Sequence, residues 1–267
     1  MTAIPTPPAP DRQADPLAHL AGLPGVADAV DRAREAVDAL RGHRVLRRQS
    51  EKVSSESAIR GARASAALEG ADVPLDVLKE TVTAAGRLPV AEEPVVQGAL
   101  RVAAELGRLQ GTWDRAPLQV VARLHSLAAA DLVDDSSELG RPSPAGAARL
   151  GALGDLLTGR TGAPAVVVAS VVHAELATAG AFTAGAGVVA RAAARLTLVT
   201  RGLDPTAVSV PEVGHVELGV EAYRSALAGY RTGTDEGLAG WVVHCAEAAV
   251  LGAREGVAVC EAIQRGA

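Results

Sequence analysis

The stretch "GAFTAGAGVVAR", from Gly180 to Arg191, decides how this 267-residue chain is interpreted. It indicates a glycine-bearing turn that runs into a helix, and such turns can present backbone N–H groups to a phosphate. The stretch contains no acid, Asn, Lys or Ser, and its only ionisable side chain is that of Arg191. Three interpretations follow: a nucleotide-binding loop, the remnant of one, or a plain helix start.

Apolar residues recur at helical spacing along most of the chain. Residues 164–179 fit a buried strand or a helix, and His173, Glu175 and the nearby alanines favour the helix. Further helices are predicted over residues 24–48, 59–68, 75–85, 94–110, 117–130, 188–201, 217–231 and 235–264. The Gly-, Pro- and Ser-rich segment 134–150 predicts a loop with room for a short hairpin, and "PEVGHVE" at 211–217 predicts another loop. The pattern predicts a mostly α protein.

Composition excludes several classes of function. Hydrophobic residues make up 48% of the chain but aromatic ones only 2%, which predicts a core of Ala, Leu and Val. A net charge of −5 argues against nucleic-acid binding. Cys245 and Cys260 lack CxxC spacing, so neither a disulfide framework nor a zinc site is expected. The N-terminus has no secretory pattern and the apolar runs are shorter than a membrane span, which predicts a cytoplasmic protein without a membrane partner.

A second segment, "SAALEG" from Ser65 to Gly70, has the pattern S-x-x-x-E-G. Together, these two segments resemble the Fic (Fido-fold) family of protein adenylyltransferases. The central motif of that family, H-x-F-x-D/E-G-N-G-R-x-x-R, forms a phosphate-binding loop that runs into a helix. In many members a helix with S/T-x-x-x-E-G/N inhibits the enzyme, because its glutamate pairs with the second arginine of the motif. With "LGRPSP", "HAELAT" and "RGLDP", the resemblance covers about residues 50–262.

The resemblance implies a mostly α fold: a Fido-like helical core with a short β-hairpin flap and an N-terminal helical extension. The expected division is a disordered segment at 1–22, a helical region with the S-x-x-x-E-G motif at 23–90, and the Fic-like core at 91–264. The family resemblance also implies ATP and Mg²⁺ as possible ligands, an unidentified protein as target or partner, and a possible homodimer.

The central motif is degenerate in this chain. Four of its positions match the family pattern, namely Phe182, Gly185, Gly187 and Arg191. Four others have lost their side-chain chemistry: Gly180 replaces the catalytic histidine, Ala184 the metal-binding acid, Ala186 the asparagine and Val188 the first arginine.

Adenylyl transfer needs a general base, a cation that neutralises the phosphates, and donors for the developing charge. Glycine accepts no proton, alanine does not ligate Mg²⁺, and valine offers no donors to phosphate. No catalytic residue and no metal ligand are therefore assigned. The four matching positions form a degenerate nucleotide-binding motif whose backbone could still hold an anion. The alternative is that the glycines merely permit a tight turn and close helix packing.

The resemblance pairs Glu69 with Arg191. Ser65, Glu69 and Gly70 would then form an inhibitory contact that has nothing left to inhibit. We expect a structural contact instead, a partly buried ion pair that docks the N-terminal helix on the core.

Other ionisable residues receive structural interpretations. His173 lies about two helical turns before Gly180, too far to replace the lost histidine, and is expected to pack between helices. The same interpretation applies to His125 and His244, and His215 falls in the predicted loop, where it is either exposed or functional. Cys245 and Cys260 are expected to be small buried hydrophobic residues.

Three hypotheses remain open. The chain is a catalytically degenerate Fic-like binding or regulatory module, a Fic-like nucleotidyl or phosphoryl transferase with non-standard catalytic residues, or a helical structural protein with a coincidental motif. A dinucleotide-dependent oxidoreductase is disfavoured, because no βαβ pattern precedes the glycines.

Overall fold

A computed structural model describes residue 15 and residues 17–83 and 94–266. Within this part of the chain there are twelve α-helices, one 3-10 turn and no strand. The helices are α1 (Ala18–Ala21), α2 (Val26–Arg41), α3 (Leu46–Leu68), α4 (Leu75–Thr83), α5 (Pro94–Trp113), α6 (Pro117–Ala128), α7 (Pro144–Thr158), α8 (Ala165–Thr178), α9 (Ala186–Thr200), α10 (Pro211–Leu218), α11 (Val220–Arg231) and α12 (Asp235–Gln264). The 3-10 turn covers Ser136–Glu138. The mostly α prediction is confirmed.

Helices α8 and α9 lie at the centre and pack against each other. Ten of the fourteen residues of α8 are buried, which is typical of a helix enclosed on all sides. The helix predicted over 164–179 is therefore confirmed. Helices α5 and α6 cover one side of α9. Helix α12 contacts α8 and also packs against α2, α10 and α11. The short loop between α8 and α9 thus holds the glycine-rich stretch at the edge of the core.

The N-terminal helices pack directly on this core. Helix α3 contacts α5, α9, α10 and α12, and one hydrophobic cluster contains Ala62 and Ala66 of α3 together with Val188 of α9. The expected boundary at residues 90 and 91 lies outside the described residues. Most of segment 1–22 lies outside them too, but its last part forms α1, where Leu17 and Leu20 are buried. The expected disorder therefore does not extend to this part.

The expected β-hairpin flap is wrong for the described chain. Asp135 caps the 3-10 turn, because its carboxylate accepts hydrogen bonds from the Ser137 backbone N–H at 2.8 Å and from Ser137 Oγ at 2.7 Å. Local side-chain bonds of this kind compete with strand pairing. The predicted loop also ends early, because Ser143 caps α7 and Pro144 begins it.

The loop predicted at 211–217 is helix α10. Pro211 occupies the first turn of that helix, where a missing N–H costs nothing, so it begins the helix instead of breaking it. Gly214 then lets α10 approach α12 closely, since a Cβ on Gly214 would overlap the Ala248 backbone. His215 is consequently buried, so the exposed alternative is wrong and the functional one stays open. None of the helices in the described residues combines the length and apolar character needed to cross a membrane.

Candidate functional site

The loop between α8 and α9 owes its shape to two glycines with left-handed backbone conformations. Gly180 has φ +62° and Gly185 has φ +69°, values that side-chain-bearing residues rarely adopt. Gly185 is the N-cap of α9 and offers no side chain to the helix. The first N–H groups of α9 therefore receive no hydrogen bond from a side chain at the N-cap, the arrangement on which a backbone anion site depends.

His125 of α6 supports this loop from one side. Its Nε2 donates to the Ala184 carbonyl oxygen at 3.2 Å, and its Nδ1 accepts from the Gly140 N–H at 2.9 Å. The ring stacks on Phe182 with 4.0 Å between the ring centroids. Burial lowers the pKa of His125, which keeps the ring in the neutral form that these two bonds require. The sequence offered no signal for this role, because its partners lie 15 to 59 residues away.

The start of α7 supports the loop from a second side. Ser143 Oγ donates to the Gly180 carbonyl oxygen at 2.8 Å, and the Ser143 N–H donates to the Ala181 carbonyl oxygen at 2.7 Å. Gly146 allows the close approach, since a Cβ there would overlap Ala181. A cavity of about 300 Å³ opens beside the loop and is lined by His125, Ser137, Glu138, Arg141, Pro142, Ser143, Ala181, Phe182 and Thr183.

Arg191 of α9 is enclosed by the S-x-x-x-E-G segment. Its side chain is only 2% exposed. Nε donates to Ser65 Oγ at 2.8 Å, and Nη2 donates both to the Ser65 carbonyl oxygen at 2.9 Å and to Glu69 Oε1 at 2.7 Å. Nη1 donates to Tyr223 Oη at 3.3 Å. The structure thus brings Ser65, Glu69 and Arg191 together, and Tyr223 is a partner that the sequence analysis missed.

The Glu69 carboxylate lies over the start of α9. A Cβ on Gly187 would overlap Glu69 Oε1, so glycine at this position leaves the space that the carboxylate fills. Gly70, with φ +93°, turns the chain immediately after Glu69 at the end of α3. A negative charge is favourable beside a helix N-terminus. The Glu69 carboxylate thus puts a negative charge beside Gly187 in the first turn of α9, where it would repel an anionic ligand.

ATP and Mg²⁺ do not fit this arrangement. A phosphate at the start of α9 would meet the negative charge of Glu69. Mg²⁺ prefers carboxylate ligands, yet position 184 is alanine and its carbonyl oxygen already accepts a hydrogen bond from His125. No step of nucleotide chemistry can be derived from the residues present.

Comparison with solved structures identifies the fold. The helices and loop described above define an all-α protein with a glycine-rich turn before a central helix. A Fic family protein from Desulfovibrio desulfuricans G20 matches this chain with a TM-score of 0.70 and 20% sequence identity, over 88% of this chain and 74% of that one. Fic-1 from C. elegans matches with a TM-score of 0.66 and 18% identity, over 88% and 71%. A variant of that Fic-1 gives a TM-score of 0.64.

The chain therefore has the Fido fold of Fic family proteins, as the sequence resemblance implied. In sequence, no protein-family model and no curated protein matches it. The assignment of motif positions and the roles of Phe182, Gly185, Gly187 and Arg191 in nucleotide binding stay predictions.

Proposed function

We propose that this chain is a Fic-type pseudoenzyme, which has lost adenylyl transfer (AMPylation) and acts as a binding or regulatory module in the cytoplasm. Its partner is a protein, either an unidentified target or a second copy of this chain. The domain division at residues 90 and 91 is part of the same proposal, with α3 in the region that regulates and α9 in the core.

The observation that carries the proposal is the position of Glu69. Its carboxylate fills the space above Gly187 and is held there by Arg191, a buried arginine with three further hydrogen bonds. A transferase of this fold would have to seat phosphates at this helix start, and a carboxylate held there by a buried arginine opposes that step, which supports the proposal.

The loop residues support the same conclusion. Position 180 has no proton acceptor, position 184 has no carboxylate, and position 188 has no cation. A general base contributes about 10²–10⁴-fold to an enzyme's rate, and one group that stabilises transition-state charge contributes about 10²–10³-fold. Losing all three leaves a loop that is well shaped but cannot activate a hydroxyl, bind a metal or neutralise a phosphate.

Calorimetry and labelling test the proposal. We expect the wild-type chain to show no saturable binding of ATP, with or without Mg²⁺, and no self-labelling with ATP carrying a labelled adenosine moiety. We expect the same absence of labelling for Glu69→Gly, because the reactive side chains are missing even when the carboxylate is removed. A Glu221→Ala variant, which removes an exposed ion pair, is the matched control. Robust labelling of Glu69→Gly would contradict the proposal.

A second candidate is a Fic-like nucleotidyl or phosphoryl transferase with non-standard residues. One observation favours it: the cavity beside the loop is lined by the neutral imidazole of His125 and by the guanidinium-bearing residue Arg141. If wild-type protein labels itself and His125→Asn abolishes the labelling without unfolding the chain, this second candidate replaces the first.

A further inference from the structure

A cluster of metal-ligating side chains lies near Arg191 and contains no residue of the glycine-rich loop. His173 of α8, His215 of α10 and Cys245 of α12 each offer one ligand atom, and these three atoms lie within 4.8 Å of one another. His173 and His215 are 1% and 4% exposed. All three residues line a cavity of about 30 Å³, which has room for a single ion or water.

Both imidazoles have a second partner that fixes the ring. His173 Nε2 lies 2.9 Å from Tyr223 Oη, and His215 Nδ1 lies 3.1 Å from His244 Nε2. These hydrogen bonds leave one nitrogen of each ring, Nδ1 of His173 and Nε2 of His215, for a ligand. Histidines that bind metals almost always donate their other N–H to a hydrogen-bond acceptor, which sets the tautomer and the ring orientation, and Tyr223 Oη and His244 Nε2 can accept here.

We propose that His173, His215 and Cys245 bind one thiophilic d¹⁰ metal ion, with Cu⁺ preferred over Zn²⁺. On binding, the Cys245 thiol loses its proton to solvent, a sulfur–metal bond and two nitrogen–metal bonds form, and the oxidation state of the ion does not change. The residues of the glycine-rich loop take no part, so the site does not depend on the proposed function of that loop.

The donor set defines the class of metal. Thiolate sulfur selects Cu⁺ and Zn²⁺ over hard cations such as Mg²⁺ and Ca²⁺, and imidazole suits both. Imidazole coordinates a metal in its neutral form, and both rings are buried in the helical core with one nitrogen each already in a hydrogen bond.

Charge decides between the two ions. Cu⁺ with one thiolate and two neutral imidazoles has no net charge, whereas Zn²⁺ with the same ligands has a charge of +1. A buried net charge is costly, and the cation of Arg191 is already close: its Nη1 lies 3.3 Å from Tyr223 Oη, which lies 2.9 Å from His173 Nε2. Three ligands suffice for trigonal Cu⁺, while Zn²⁺ usually takes four in a closed site.

The distances require a small contraction. Metal–ligand bonds of about 2.0–2.3 Å place trigonal ligand atoms about 3.5–4.0 Å apart. One ligand atom from each residue lies within 4.8 Å of the other two, so shortening the separations by about 1 Å brings the three atoms to coordination distance. Rotation of Cys245 about one bond, into the cavity that it already lines, supplies a movement of that size.

The test is a competition titration of the full-length chain against a chromophoric Cu⁺ chelator, under reducing and anaerobic conditions, with a parallel Zn²⁺ titration. We expect one Cu⁺ per chain, an ultraviolet thiolate-to-copper absorption band, and weaker Zn²⁺ binding. Cys245→Ala should remove the band. Cys260→Ala is the matched control, because Cys260 lies in a separate hydrophobic cluster of α12 and should leave binding unchanged.

A ring-orienting variant extends the test. Loss of such a partner typically weakens metal affinity by about 10–100-fold, so we expect this loss for His244→Ala and more than about 100-fold for Cys245→Ala. Absence of stoichiometric binding by the wild-type chain would overturn the proposal without any variant. Binding that survives Cys245→Ala would also overturn it, and tighter binding of Zn²⁺ than of Cu⁺ would overturn the charge argument.

Discussion

Replacing Glu69 by alanine should destabilise the protein even though this side chain is partly exposed. Its partner Arg191 is 2% exposed, whereas the Glu69 side chain is 35% exposed. Breaking a fully buried ion pair by removing one partner costs about 3–5 kcal/mol. Arg191 would keep its bonds to Ser65 and Tyr223, and water could reach the position that Glu69 leaves. We therefore expect the free energy of unfolding to fall by about 2 kcal/mol, the contribution of one hydrogen bond to a charged group.

Urea unfolding followed by circular dichroism measures this loss. For a chain of this size, about 2 kcal/mol corresponds to a fall in Tm of about 4–8 °C. Glu69→Gln, which keeps a neutral acceptor at the same place, should lose about half as much. Glu221→Ala is the control, since Glu221 pairs with Arg224 at 2.8 Å but both side chains are exposed, and such a pair is worth about 0.5 kcal/mol or less. If Glu69→Ala costs no more than Glu221→Ala, the contact does not dock α3 on α9.

Three more predictions concern the same region. Gly187→Ala should displace the Glu69 carboxylate and destabilise the wild-type chain, yet be neutral or stabilising in the Glu69→Ala background, and the difference in unfolding free energy between the two backgrounds measures this coupling. Lowering the pH below about 6.5 should destabilise the protein through His125. Its folded pKa is depressed, so the unfolded state takes up the proton first, and a protonated Nδ1 would face the Gly140 N–H. His125→Asn should therefore lose less unfolding free energy between pH 7.5 and 5.5 in urea unfolding than the wild-type chain, and an equal loss would contradict this. Gly180→His should cost about 1–2 kcal/mol, because position 180 has φ +62°, and should restore no self-labelling; Gly180→Ala, with the same strain and no imidazole, is its control.

Sequence reasoning succeeded where local residues fix the backbone. Glycines at 185 and 187 are needed for a left-handed N-cap and for the space above the helix start, so their spacing indicates the loop and helix directly. Helix α8 was ambiguous in periodicity because it is apolar on all sides, and only its alanines and charged residues favoured a helix. The contact between Glu69 and Arg191 came from the family resemblance, since no local pattern joins residues 122 positions apart.

Sequence reasoning failed where tertiary contacts override a local signal. Pro211 is a helix breaker in most contexts, but it is favourable at the first turn of a helix. The close approach of Gly214 to α12 favours the helix over the loop. The error over α10 also hid the cluster of His173, His215 and Cys245. Cysteine spacing could not indicate this cluster, because its three side chains come from three helices and share no short motif.

The two sites are joined through Tyr223. Its hydroxyl oxygen accepts a hydrogen bond from Arg191 and lies 2.9 Å from Nε2 of His173. If His173 binds a metal through Nδ1, its Nε2–H must donate to Tyr223 Oη, which then has two donors and orients its own proton elsewhere. Metal binding would thus fix the tautomer next to the arginine that holds Glu69. A double-mutant cycle with Tyr223→Phe and Glu69→Ala, measured with and without Cu⁺, quantifies this coupling. If Cu⁺ does not change this coupling free energy, the metal site and the contact between Glu69 and Arg191 are energetically independent.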